Sequence, residues 1–316
     1  MSAPALPAGT HQVAPSRPMG GVFGLFAQVA KRPAGLAGLL ILGFFTVLAI
    51  MPTVLVGDLQ TAVTATGPRL SPPTAGYPLG TDELGRSIVN LVVHATRISM
   101  VIGLLATAIT IIFGAVLGIV SGFVGGWFDA LSMRVADFFL VIPTFVLAII
   151  LTAIIRDVLG TGSREIFGIR LSLITIVVVI GITSWSSTAR IIRSQTLSLK
   201  ERAFVDRSRV VGAGPGHIMR RHILPNVTNL VVANAVITFS GAIITETTLS
   251  FVGLGDPFQP SWGQLLDASR QVGAPGLGAW WYFVPPGVSI VLVVFAFTLL
   301  GSALDAILNP KLAARR

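Results

Sequence analysis

The sequence predicts an all-α, polytopic membrane protein with six transmembrane helices. Three observations carry that prediction. Hydrophobic residues make up 53% of the 316 and charged residues only 11%, more apolar surface than a domain in water can hide. The apolar residues gather into six runs suited to crossing a hydrocarbon layer, for which roughly 20 helical residues suffice. The 22 Lys and Arg residues divide unevenly between the segments joining those runs, the bias that sets orientation in a bilayer. With a formal charge of +9 and a pI near 11.3, the excess points to cytoplasmic loops and anionic membrane lipids, with no nucleic acid partner. The chain has no cysteine, which excludes disulfides, thiolate metal sites, iron–sulfur clusters and a cysteine nucleophile.

The elements follow in order. Residues 1–33, rich in Pro, Ala and Gly, read as a disordered cytoplasmic tail. "AGLAGLLILGFFTVLAIMPTVLV" (34–56) is the first transmembrane helix. It is too long, and too far from the N-terminus, for a cleaved signal peptide, and it lacks a small-residue cleavage site. A polar extracytoplasmic segment, 57–96, precedes a core of five further helices over 97–308, with runs at 98–124, 135–155, 171–190, 227–252 and 284–304. The run at 227–252 is the weakest, because it carries Asn229, Asn234 and Glu246. Residues 309–316 form a second cytoplasmic tail. With Lys31 and Arg32 placed inside, seven basic residues (Arg69, Arg86, Arg97, Arg156, Arg164, Arg170 and Arg270) fall outside and the other 15 of the 22 inside. Both termini and the loop 191–226 therefore face the cytoplasm.

That loop contains "ERAFVDRSRVVGAGPGHIMRRHILPN" (201–226), the most charged connection in an apolar chain. Topology alone would make it basic, but it also has internal design. Leu199 to Val211 reads as a helix with Phe204, Ser208 and Val211 on one face and Arg202, Asp206 and Arg209 on others. Gly212 is placed to end it, "GPG" (214–216) turns the chain, and Pro215 can open a second short helix leading into the fifth span. A stiff helix outside the bilayer, tied at both ends to spanning helices, can carry motion.

"FVDRSRVVGAGPGHIMRRHILPN" (204–226) resembles the cytoplasmic coupling loop of ABC importer permeases, through Phe204, Val205, Gly212, Ala213 and the distal "HILPN" (222–226). "YPLGTDELGRS" (77–87), "GGWFDALSMRVADFFLVIPTFVLAI" (125–149) and "ITETTLSFVGLGDPFQPSWGQLL" (244–266) resemble the same family, in order along the chain. The subfamily is the C-type inner-membrane subunit of dipeptide and oligopeptide permeases. The resemblance implies a type I ABC importer permease fold in a bacterial cell membrane. It also implies a homologous B-type permease subunit, cytoplasmic ABC ATPase subunits and an extracytoplasmic substrate-binding protein as partners. ATP and Mg would be bound by those partner subunits, leaving no cofactor, no metal and no catalytic residue in this chain. Glu201, Phe204, Val205, Asp206, Arg207, Arg209, Gly212 and Ala213 are the implied ATPase-coupling residues. One departure stands out. Where the family has a Glu-Ala-Ala triplet, this chain has Asp206, Arg207 and Ser208, so a partner surface must accommodate a long cation.

Other patterns carry less. "GTDELGRS" (80–87) nearly fits a phosphate-binding loop but has Arg86 in place of Lys and lies outside, where a turn leading into the second span is the better reading. Gly114, Gly118, Gly122 and Gly126 recur at every fourth position, a pattern for close helix packing rather than a glycine-lined pore. Arg134 and Asp137 are spaced for a local ion pair. Glu246, inside a span, should face protein or water. It either lines the translocation path or bonds a neighbouring helix. The four histidines lack metal-ligand spacing. A secondary transporter would need inverted repeats or broken helices with midplane ions, and a membrane-embedded enzyme a clustered catalytic set; the sequence signals neither. Nickel, glutathione or haem are alternative cargoes within the family reading.

Overall fold

The computed structural model describes residues 21–159, 165–166 and 169–308. Five of its helices are long and apolar enough to cross a membrane, and a bent pair supplies a sixth crossing if counted as one. The helices are α1 (Gly21–Ala30), α2 (Pro33–Ile50), α3 (Pro52–Val56), α4 (Ile88–Val124), α5 (Gly126–Val141), α6 (Thr144–Leu159) and α7 (Leu171–Lys200). They continue as α8 (Ala203–Val210), α9 (Pro215–Ile218), α10 (Leu224–Leu249), α11 (Trp262–Gln271) and α12 (Trp280–Leu308). A two-residue antiparallel ladder, β1 (Glu165–Ile166) with β2 (Ile169–Arg170), precedes α7.

The tail expected over 1–33 is helical in its last part. Apolar residues at 22, 25, 26 and 29 recur at helical spacing, and Val29 of α1 is buried among Leu300, Ala303 and Leu304 of α12. Residues 1–20 and 309–316 lie outside the described residues. The first crossing is split at Met51, whose backbone leaves the helical region ahead of Pro52 because the proline ring crowds an α-helical neighbour. The expected polar segment 57–96 gives up its last nine residues to α4, which starts at Ile88. Asn90 fixes that start, donating to the carbonyls of Val56 at 3.0 Å and Asp58 at 2.9 Å and accepting from the Gln60 N–H at 3.0 Å.

The third apolar run is not the straight helix expected over 135–155. Its two halves, α5 and α6, meet at 92°. Pro143 follows Ile142, which takes an extended conformation (ψ 127°), as a residue before proline should. A broken span is therefore present although the sequence did not signal one. Among the described residues, no group of three or more His, Asp or Glu side chains is gathered to hold an ion.

Packing fixes the relative directions of the spans. A Cβ on Gly114 would meet Thr188 Cβ at 2.7 Å and the Trp185 carbonyl at 2.8 Å; one on Gly118 would meet the Ala189 carbonyl at 2.6 Å; one on Gly122 would meet the Arg193 carbonyl at 3.0 Å. Position rises together on both helices, so α4 and α7 run parallel with backbones almost touching. In lipid there is no hydrophobic drive between apolar helices, and such close approach supplies the attraction instead. The expected packing role thus holds for three glycines, all serving α7. Gly126 is different: it lies past the end of α4 with positive φ and nothing near its Cβ direction. Ser99 and Gly103 of α4 face Glu246 and Ile243 of α10, an antiparallel pairing. Arg32, just before α2, donates to the Ala306 carbonyl at 3.1 Å and Gly38 faces Leu300, so α2 and α12 also run antiparallel. It follows that α8, the start of α2 and the end of α12 lie on one side of the bundle.

Gly118→Val is expected to lower the melting temperature of the purified protein and broaden its size-exclusion peak, because the side chain has only the Ala189 carbonyl to occupy. Gly241→Val, where nothing lies within 4 Å, should change neither. Equal melting temperatures for the two variants would overturn the α4–α7 assignment.

Candidate functional site

The loop named by its charge is built around α8. The sequence reads as one helix from Leu199 to Val211, but the chain breaks it. α7 ends at Lys200, Arg202 is extended (ψ 141°) and α8 begins at Ala203. Helices this short are unstable alone, since nucleation is costly below about 12 residues. Tertiary contact holds this one. Val205 is fully buried against Ile119 and Phe123 of α4, Ile192 and Leu199 of α7, and Ile218, Ile223 and Val227 beyond the turn. The break at 201–202 is what swings Val205 into that cluster.

Both ends of α8 are fastened. At its C-terminus Gly212 has φ +86°, its N–H bonds the Arg209 carbonyl at 2.9 Å and the Ala213 N–H bonds the Ser208 carbonyl at 2.9 Å. This is the glycine-ended Schellman closure. Val211, expected beside Phe204 and Ser208, instead ends the helix and points outward. Val210 and Val211 are 87% and 86% exposed, an apolar tip that the sequence reading did not single out. Two β-branched residues inside the most charged loop were the available signal. Ser208, one of the three departures from the family triplet, has a structural part. Its hydroxyl donates to the Phe204 carbonyl at 3.0 Å and lies 3.0 Å from His222 Nε2. α8 is thereby joined to the π-helical turn Met219–Ile223 that leads into α10.

The remaining residues expected to couple sit at the surface. Glu201, Asp206, Arg207, Arg209 and Gly212 are exposed, while Phe204 and Ala213 are half-buried. Arg209 pairs with Asp206 at 3.2 Å, and among the described residues Arg207 Nε reaches only the Ala203 carbonyl at 3.3 Å. Around this face, Lys200 and Arg209 each lie 5.9 Å from the Phe123 ring centre. Asp129 of α5 takes a two-pronged bond from Arg193 of α7, at 2.5 and 2.6 Å, the geometry that makes Arg–carboxylate pairs strong. Asp137 pairs with Arg190 of α7, not with Arg134 as its spacing suggests, because the helix–helix contact brings Arg190 closer than the local turn allows.

Glu246 is fully buried. It accepts from Ser99 Oγ at 3.2 Å and Ser250 Oγ at 2.9 Å, and Ser99 Oγ in turn accepts from the Trp262 N–H at 3.1 Å. The carboxylate therefore ties α4, α10 and α11 together and lines no open surface of this chain. The loop 80–87 is equally self-contained. Asp82 accepts from the N–H groups of Leu84 at 2.9 Å and Arg86 at 2.7 Å and from Arg86 Nε at 2.6 Å. The donors a phosphate would need are occupied by the loop's own aspartate.

These features define a multi-pass membrane protein of wholly helical spans, carrying one short, braced helix outside them. The chain belongs to the family of binding-protein-dependent transport system inner membrane components, which it matches over residues 114–314. It is 33% identical over 290 residues to a dipeptide transport system permease protein of Alkalihalophilus pseudofirmus, covering 91% of this chain and 89% of that one. It is 34% identical over 251 residues to an oligopeptide transport system permease protein of Lactococcus lactis, covering 78% and 79%. It is also 35% identical over 243 residues to a glutathione transport system permease protein of Pectobacterium atrosepticum, covering 76% and 74%.

Val205→Ala removes two methyl groups from a buried apolar cluster and is expected to weaken local stability by about 1.6 kcal/mol, at about 0.8 kcal/mol per buried carbon. Amide hydrogen exchange over 203–210 should accelerate on the order of tenfold. Val210→Ala should leave that exchange unchanged, and equal exchange in both variants would refute the anchoring role of Val205.

Proposed function

We propose that this chain is the membrane-spanning half of an ATP-driven, binding-protein-dependent importer of di- and oligopeptides. One observation carries the reading: α8 buries Val205 in a cluster fed by α4, α7 and the start of the α10 helix, while it turns Val210, Val211 and a charged face outward. A partner gripping that outward face would move three helices at once.

The homologous B-type subunit completes the pathway, and cytoplasmic ABC ATPases dock on Glu201 to Ala213. A substrate-binding protein delivers cargo from outside. ATP and Mg reside in the ATPases, and this chain performs no covalent chemistry. The basic side of the bundle, which holds α8 and both ends of the described chain, is the cytoplasmic side of a bacterial cell membrane. Docking of the ATPases in their closed state pushes α8 and, through Val205, tips the bundle from inward- to outward-facing. Arg207 requires an acid or a wide groove on the ATPase, which restricts the choice of ATPase. The named cargo of one relative, glutathione, is itself a small peptide and keeps that substrate within the same reading.

Phe204→Asp and Gly212→Leu should each abolish peptide uptake in cells while membrane insertion and basal ATP hydrolysis persist. Gly212→Leu acts through its backbone, since L residues are strained at φ +86°. Normal uptake by both variants, or a purified assembly with no ATPase, would remove the coupling assignment.

A further inference from the structure

Arg97 is an exposed cation in apolar surroundings. It lies nine residues beyond Ile88, about 13 Å along α4, and borders two grooves. One, of about 670 Å³, runs between α4 and α7. The other, of about 720 Å³, runs between α4 and the α2, α10 and α12 helices. Among the described residues Arg97 has no salt-bridge partner. The polar neighbours in the first groove are His94, which bonds the Gly57 carbonyl at 3.0 Å, and Gln259. Below Arg97, on the same face of α4, follow Val101, Leu104, Leu105, Ala108 and Ile112, four of them well exposed.

Its depth matters. Asn90 bonds the Val56 carbonyl, and Arg97 lies seven residues further along α4, about 10 Å, bordering the second groove with Thr46, Ala49 and Ile50 of the first crossing, so it sits inside the span rather than outside it as the charge count placed it. An unpaired guanidinium at that depth is unfavourable in hydrocarbon and implies a water-filled cavity or an anion. An anion travelling through the groove reaches it directly.

We infer that Arg97 is a substrate-recognition residue of the translocation path, binding the terminal carboxylate of a short peptide as it leaves the extracytoplasmic side. The inference rests on the peptide-importer reading above and adds a ligand group and a residue to it. A guanidinium matches a carboxylate through paired N–H donors. The carboxylate is the one group every linear peptide shares. The apolar stripe below makes no demand on side-chain chemistry, so the path holds the common end and tolerates the variable remainder.

The test uses the assembled importer in proteoliposomes, with trialanine and trialanine amide as cargo. Arg97→Gln should lower trialanine uptake on the order of 10–100-fold, the loss of a hydrogen bond to a charged group. The ratio of mutant to wild-type uptake for the amide should stay within about twofold of unity, since the amide offers no such partner. Arg97→Lys should recover much of the trialanine uptake, and stimulation of ATP hydrolysis by the binding protein should persist in both variants. Equal loss for both cargoes would assign Arg97 to helix positioning or to contact with the partner subunit. No loss for either would leave it a lipid anchor. Both results overturn the inference while leaving the importer reading intact. A wild-type assembly that imports neither peptide removes the importer reading and this inference with it.

Discussion

The contact between α4 and α7 is the constraint on which the rest of the molecule depends. Three glycines let two long parallel helices lie with backbone against backbone, and neither a leucine nor an alanine could stand in their place without moving a carbonyl. In a solvent of acyl chains this intimacy is the main available source of cohesion between apolar helices. It brings the far ends of both helices to the same place, where Phe123 and Leu199 form the socket for Val205. It also aligns Arg193 with Asp129 and Arg190 with Asp137, so that the first half of the broken span is bolted to the same pair. α8, the broken span and the buried Glu246 each attach to α4 or α7.

How much of this could be read from the sequence depended on whether the cause was local. Composition and run length exposed the class of protein and the position of the crossings, because a bilayer imposes one length and one polarity on any helix that spans it. Gly212 and Pro215 were legible for a similar reason: each restricts its own backbone whatever surrounds it. Other features have distant causes. The break at Glu201–Arg202 contains no glycine or proline, and it exists because Val205 is drawn into a socket made by other helices. The partner of Asp137 sits 53 positions away, so spacing within one helix pointed to Arg134. The start of α4 was hidden because Asn90, His94 and Arg97 make an apolar window look like a loop. α1 was masked by the glycines among its apolar residues.

Discontinuous helices are a mark of ion-coupled carriers, and the sequence reading treated their absence as an argument against that class. The discontinuity is present, yet its cause is the ordinary crowding between Ile142 and Pro143, and no ion-binding group of side chains accompanies it among the described residues. The separation between classes rests instead on family membership and on the braced helix outside the spans.

The length of α4 has a further consequence. Its 37 residues reach about 55 Å, against a hydrocarbon layer of about 30 Å, and its first turns are level with the end of the first crossing through Asn90. A helix longer than the layer tilts or projects beyond it, and the far end of α4, at Ile119 and Phe123, carries Val205 of α8 with it.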